Sequence, residues 1–96
     1  MKGYMYILKC ADETYYTGST SNLEWRLYQH EIGKGSEYTR KRLPIELVYV
    51  EEFERIDEAY AREKQVQKWS KKKKEALIAG KFNRLKELAR KKFDDK

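Results

Sequence analysis

A chain of 96 residues with 22 Lys/Arg against 16 Asp/Glu has room for one domain and one modest core, burying about 60–70 % of the unfolded chain's surface. Its aromatic content of 14 %, one Pro and five Gly exclude a disordered or low-complexity chain. Apolar runs of only a few residues exclude a spanning helix and the apolar core of a secretory signal, so the cytoplasm is the expected compartment. Cys10 is the only cysteine, which excludes an intramolecular disulfide and a multi-cysteine metal site; within a predicted strand it reads as a small buried hydrophobe.

Along residues 4–10, alternation sets Tyr4, Tyr6, Leu8 and Cys10 on one face and Met5, Ile7 and Lys9 on the other, the period-two pattern of a half-buried strand. A second run from Thr14 to Thr20, rich in Tyr and Thr, suits a strand as well. Between them Ala11-Asp12-Glu13 is short and polar, which predicts an antiparallel hairpin with Tyr6 and Tyr16 as cross-strand neighbours. Gly18, late in the second strand, allows close approach of a backbone or a phosphate, or a bulge, or simply ends the strand.

Ser21 with Glu24 has the form of a capping box and predicts a helix from Asn22 to about Glu31. Leu23, Arg26, Leu27 and His30 share one side of it, and Gly33 and Gly35 end it. The polar segment from Lys34 to Leu43, bracketed by Gly33 and Pro44, reads as a loop carrying Lys34, Tyr38, Arg40, Lys41 and Arg42. Ile45–Phe53 is rich in branched and aromatic residues and is expected to be a third strand, the central one.

Asp57 is placed to cap the next helix, which runs through Ala59, Tyr60, Glu63, Val66 and Trp69. Ser70 before four lysines marks a kink or a fresh start, Gly80 a stop, and Asn83 a cap for a basic C-terminal helix and tail over 81–96. Residues 61–92 hold 13 Lys/Arg against three Glu, so this segment alone is +10 and the remainder of the chain is −4. Such polarisation is the electrostatic footprint of a nucleic-acid partner, with a solvated lysine face as the alternative. No repeat or linker divides the chain, and a single domain over 1–96 is expected.

Glu63 falls on or beside the stripe Ala59–Val66–Trp69 that ought to face the core. A carboxylate there needs an ion-pair partner, for which Arg26 or Lys9 is available, or a metal. Taken together, Tyr6, Tyr16-Thr17-Gly18, Arg26, His30 and a later helical Glu63 resemble the GIY-YIG nuclease superfamily, and the chain resembles its small stand-alone bacterial members. The phrases Tyr15-Tyr16-Thr17-Gly18-Ser19-Thr20, Gln29-His30, Gly35-Ser36-Glu37-Tyr38-Thr39-Arg40 and Arg62-Glu63-Lys64 carry that likeness over about residues 3–80. The superfamily's Gly-Ile-Tyr is here Tyr4-Met5-Tyr6, and its Tyr-Ile-Gly is Tyr16-Thr17-Gly18.

The resemblance implies an α+β fold, a small three-stranded antiparallel sheet flanked by helices, and metal-dependent endonucleolytic hydrolysis of DNA in repair or processing. It implies one divalent cation, Mg²⁺ or Mn²⁺, held by Glu63 mostly through water. Arg26 would neutralise the non-bridging oxygens, and Tyr6 and Tyr16 would orient water and phosphate, with Tyr6 or His30 as the base. Gly18, the loop residues Lys34, Tyr38, Arg40, Lys41 and Arg42, and Lys72, Lys73 and Asn83 are the expected nucleic-acid contacts. Two other functions fit the same charges: a nucleic-acid-binding module that is silent or needs a partner, and a basic adaptor for an acidic protein. The oligomeric state stays open, a monomer included.

Overall fold

The computed structural model describes residues 1–80. Its elements run β1 (Gly3–Lys9), β2 (Tyr15–Thr20), α1 (Leu23–Glu31), α2 (Glu37–Arg40), β3 (Glu46–Phe53), α3 (Ile56–Gln67) and α4 (Lys71–Ile78). The three strands form one antiparallel sheet in the order β2-β1-β3, so the expected α+β class and sheet are present. The basic C-terminal helix and Asn83 lie outside the described residues.

The centre of the sheet is β1, not β3 as its apolar run suggests. Met5, Tyr6, Ile7 and Leu8 are all fully buried, whereas Leu47 and Val50 of β3 are 38 % and 36 % exposed. Alternation along β1 sends Met5 and Ile7 to one face, where they meet Val66 of α3 and Leu77 of α4 with Val48, Phe53 and Trp69 packed around them. Each such apolar side chain contributes about 1.5–3 kcal/mol by leaving water. Tyr6 points to the opposite face, where it meets His30 of α1. Covered on both faces, β1 cannot be the half-buried strand that its alternation suggests. Cys10, just beyond it, is buried as expected.

The β1–β2 register pairs Tyr6 with Gly18 and Leu8 with Tyr16. Tyr6 and Tyr16 are therefore diagonal and not directly opposed, with ring centroids 6.5 Å apart. The helix caps also differ from the sequence pattern. Asn22, not Ser21, caps α1, its side chain accepting the Trp25 N–H at 3.0 Å. The loop over 34–43 contains α2, capped by Ser36. Arg55 stands at the N-cap of α3 without a side-chain bond to the helix backbone, its guanidinium donating instead to Asp57 in the first turn, where the carboxylate charge favours the helix dipole. Ser70 caps α4, so the chain does start afresh there.

Two contacts fix α3 against the sheet. Arg62 forks onto Glu51 of β3 with Nε at 3.0 Å and Nη2 at 3.2 Å, a bidentate pair that sets the helix rotation. On the other side, Ser19 of β2 donates to Glu63 at 2.6 Å. Among the described residues no helix is long and apolar enough to cross a membrane.

Candidate active site

The site begins with the central strand and its missing neighbour atom. Tyr6 leaves β1 toward α1 and lies across Gly18, whose absent Cβ would stand 2.5 Å from the Tyr6 hydroxyl and 2.6 Å from Cζ. The room at Gly18 is thus taken by a side chain of the same protein, and Gly18 itself is buried. We expect Gly18→Ala to force the Tyr6 ring aside at a cost of about 1–3 kcal/mol. Urea unfolding together with the loss of the Tyr6–His30 hydrogen bond by NMR measures this, and an unperturbed bond would disprove the packing argument.

Tyr6 Oη and His30 Nε2 are 2.8 Å apart, and both side chains are fully buried. His30 is held from behind by Thr39 Oγ1, 2.9 Å from Nδ1. Its ring meets Tyr6 edge-on at 5.7 Å and Tyr16 at 5.3 Å. Tyr16 in turn stacks on Tyr38 at 6.0 Å, and the Arg42 guanidinium lies over the Tyr38 ring at 3.8 Å. Asp12 anchors Arg42 at 2.9 Å. Hence Tyr38 and Arg42, two of the loop residues expected to meet nucleic acid, buttress Tyr16.

Burial raises the Tyr6 phenol well above its usual range, and Tyr16 adds to the rise while the neighbouring Arg26 guanidinium opposes it. Burial, then the charge of Arg26, pulls His30 down to about 4. At neutral pH the pair is therefore a neutral phenol facing a neutral imidazole.

Glu63 reaches the same edge strand from the other face. Successive residues of β2 point opposite ways, Gly18 to Tyr6 and Ser19 to Glu63, so β2 stands between the phenol and the carboxylate. Glu63 is near enough for its charge to raise the Tyr6 pKa. Its side chain is 13 % exposed, and Lys64 Nζ stands 3.9 Å from Oε2. Neither expected partner pairs with it: Lys9 pairs with Glu13, and the hydrogen bond comes from Ser19. One oxygen oriented by a hydroxyl and the other with no donor nearer than Lys64 Nζ among the described residues is a donor set that fits a hard cation bound through one carboxylate and water. Among the described residues no group of three or more His, Cys, Asp or Glu gathers into a fuller metal site.

Tyr6, Tyr16, Arg26 and His30 thus gather on one face of the sheet at β2, and Glu63 reaches β2 from the other face; of the expected nucleic-acid contacts among the described residues, Gly18, Tyr38 and Arg42 join this cluster and the others scatter. Arg40 and Lys41 are exposed and pair with Glu37 at 2.9 and 3.8 Å. Lys34 is exposed. Lys72 and Lys73 lie in the first turn of α4, with Lys73 over the Trp69 ring at 4.2 Å. Sequence reasoning missed Ser19, Gly35, Ser36 and Thr39. The Ser36-x-x-Thr39 spacing after a glycine is a capping signal that marks α2, but nothing local links it to His30.

A three-stranded sheet with a buried Tyr–His pair, an adjoining arginine and a glutamate on the opposing helix defines a class, and comparison with known proteins agrees. Residues 2–76 match the GIY-YIG catalytic domain, and the chain belongs to that family. Its relatives include UPF0213 proteins of Natronomonas pharaonis, 49 % identical over 79 % of this chain and 89 % of that one, and of Clostridium perfringens, 50 % identical over 81 % and 84 %. Solution NMR structures of a UPF0213 protein of Bacillus halodurans and a protein of E. faecalis share the fold. They are 42 % and 34 % identical with TM-scores of 0.54 and 0.57, each over 82 % of this chain and 84 % of the other.

Proposed function

We propose that the chain is a divalent-metal-dependent endonuclease that hydrolyses DNA phosphodiesters with weak or structure-based selectivity, serving DNA repair or processing. The observation that carries the reading is the convergence of Tyr6, Tyr16, Arg26, His30 and Glu63 at the edge strand β2. Membership of the GIY-YIG catalytic-domain family supports it.

Arg26 is the fixed cation of the site, and its guanidinium fork suits the non-bridging oxygens of a phosphodiester. Tyr6 takes the proton of the attacking water, with His30 beside it as the acceptor for the phenol's own proton, and Tyr16 packs the ring system that aims both. Glu63 would hold Mg²⁺ or Mn²⁺, which when bound supplies positive charge for the developing oxyanions. The exposed lysines of α4 sit at a helix N-terminus, where the dipole disfavours cations. That misplacement for stability favours a role in holding phosphates.

The chain has one site and no second reading element among its described residues, so long sequence recognition is not expected. A labelled panel of duplex, nicked, flapped, branched and single-stranded DNA with Mg²⁺ or Mn²⁺ tests this. Cutting of one or more structures without a sequence consensus is the expected result. Binding of all with cutting of none would leave a nucleic-acid-binding module instead. Failure of bare DNA to bind would leave a basic adaptor for an acidic protein.

A further inference from the structure

Behind the Tyr6–His30 pair the hydrogen bonding continues to the surface. His30 Nδ1 lies 2.9 Å from Thr39 Oγ1, and Thr39 Oγ1 lies 2.9 Å from Ser36 Oγ. Tyr6, His30 and Thr39 are fully buried, while Ser36 is partly exposed at the start of α2. A Cβ on Gly35 would run into the His30 ring at Nδ1, so the entrance of α2 is packed directly on the imidazole. Ser36 Oγ already accepts the Thr39 N–H at 3.1 Å, and a hydroxyl oxygen has a second lone pair for the Thr39 hydroxyl. Tyr6, His30, Thr39 and Ser36 therefore form one continuous file from the site to solvent, with the Ser36 carbonyl, 3.4 Å from Thr39 Oγ1, as a longer second acceptor for the Thr39 hydroxyl.

We propose that this file is a neutral proton relay in which Thr39 holds His30 as the Nδ1–H tautomer, so that Tyr6 accepts a proton from the attacking water without becoming a phenolate. The proposal rests on the nuclease reading and adds Thr39 and Ser36 to it. At rest, Tyr6 O–H donates to Nε2, Nδ1–H donates to Thr39 Oγ1, Thr39 O–H donates to Ser36 Oγ, and Ser36 O–H donates to solvent. In the step, water gives a proton to Tyr6 Oη as the phenol proton passes to Nε2. The Nδ1 proton passes to Thr39, the Thr39 proton to Ser36, and the Ser36 proton to solvent.

One proton enters the file and one leaves, and the hydroxide keeps the electron pair of the broken O–H bond for attack on phosphorus. The imidazole ends as the Nε2–H tautomer with every member neutral. The reverse shift, with a proton entering at Ser36 and one leaving at Tyr6, restores the resting state. Neutrality is the advantage of this route. A phenolate–imidazolium pair is disfavoured at both ends, because burial raises the Tyr6 pKa and lowers that of His30. Arg26 opposes an imidazolium, and Tyr16 and Glu63 oppose a phenolate.

His30 is the only histidine, so the imidazole nitrogens of the intact chain give one unambiguous pair of ¹⁵N signals. At pH 7 we expect a protonated Nδ1 and an unprotonated Nε2 in the wild type and in Thr39→Ser, and loss of that preference in Thr39→Val. In single-turnover cleavage, Thr39→Val should slow the step about 100-fold, within the range of general acid–base catalysis, and leave KM within about threefold. Thr39→Ser, which keeps the hydroxyl, should recover the rate to within about fivefold. A proton inventory on the wild type should be curved, since several protons move together, and this needs no variant to fold. A wild-type imidazole protonated at Nε2, a linear inventory, or Thr39→Val cutting as fast as wild type would each overturn the relay. Absence of cutting by the wild type would end the nuclease reading and the relay with it, whereas the spectrum would still decide whether Thr39 sets the tautomer.

Discussion

Glu63→Gln is expected to abolish cutting in Mg²⁺ or Mn²⁺ and leave the fold standing. The amide keeps the length and planarity of the carboxylate and one oxygen that can accept from Ser19, now at 2.6 Å. Only the charge is lost. Because the side chain is 13 % exposed and already hydrogen-bonded, the change in stability should be about 1 kcal/mol or less. Turnover is different, since Glu63 would be the one carboxylate offered to the cation, and among the described residues no group of three or more His, Cys, Asp or Glu gathers to replace it. A fall of at least about 10³-fold is the expected size for removing such a group from a charge-stabilised reaction. Cleavage rates across a metal titration, paired with thermal melting of the same samples, check both halves. A Gln variant cutting at wild-type rate would remove Glu63 from the mechanism, and undiminished cutting in excess EDTA would remove the metal.

Arg26→Ala should lower kcat by about 10²–10⁴-fold with little change in substrate affinity, because its charge acts on oxygens whose negative charge grows only during reaction. Arg26 also lies close enough to Tyr6 to oppose the rise in its pKa, and it helps hold His30 down to about 4. The Ala variant should therefore raise the pKa of both groups. Arg26→Lys should recover only part of the rate, since a point charge lacks the planar fork. The contrasting variant carries Lys72→Ala and Lys73→Ala on α4. There binding should weaken and its salt dependence flatten by roughly one phosphate contact per lysine, while the bound complex turns over normally. Measuring kcat and Kd separately distinguishes the two, and the reverse pattern would move the reacting phosphate away from α1.

What could be read along the chain was local. The β1–β2 hairpin, the shared side of α1 that carries Arg26 and His30, the inward stripe of α3 with Glu63, and the fresh start at Ser70 each follow from periodicity or capping within a dozen residues. The residue types of the candidate site and their spacing belong to the same level, and by themselves they resemble the family.

What only the tertiary structure decided was non-local. Strand order is a matter of which faces get covered: β1 has α3 and α4 over Met5 and Ile7 and the imidazole of His30 against Tyr6, so it is central. The equally apolar β3 has Leu47 and Val50 left in partial contact with solvent at the edge. The register that sets Tyr6 over Gly18, and not opposite Tyr16, depends on pairing across the whole hairpin. Glu63 found Ser19, 44 residues away, where sequence offered Arg26 or Lys9, because a buried carboxylate takes whichever donor the packing brings within reach. His30 found Thr39 for the same reason, once α2 had folded against its ring. Partners of buried polar groups are chosen by packing, and one sequence read alone holds no record of that choice.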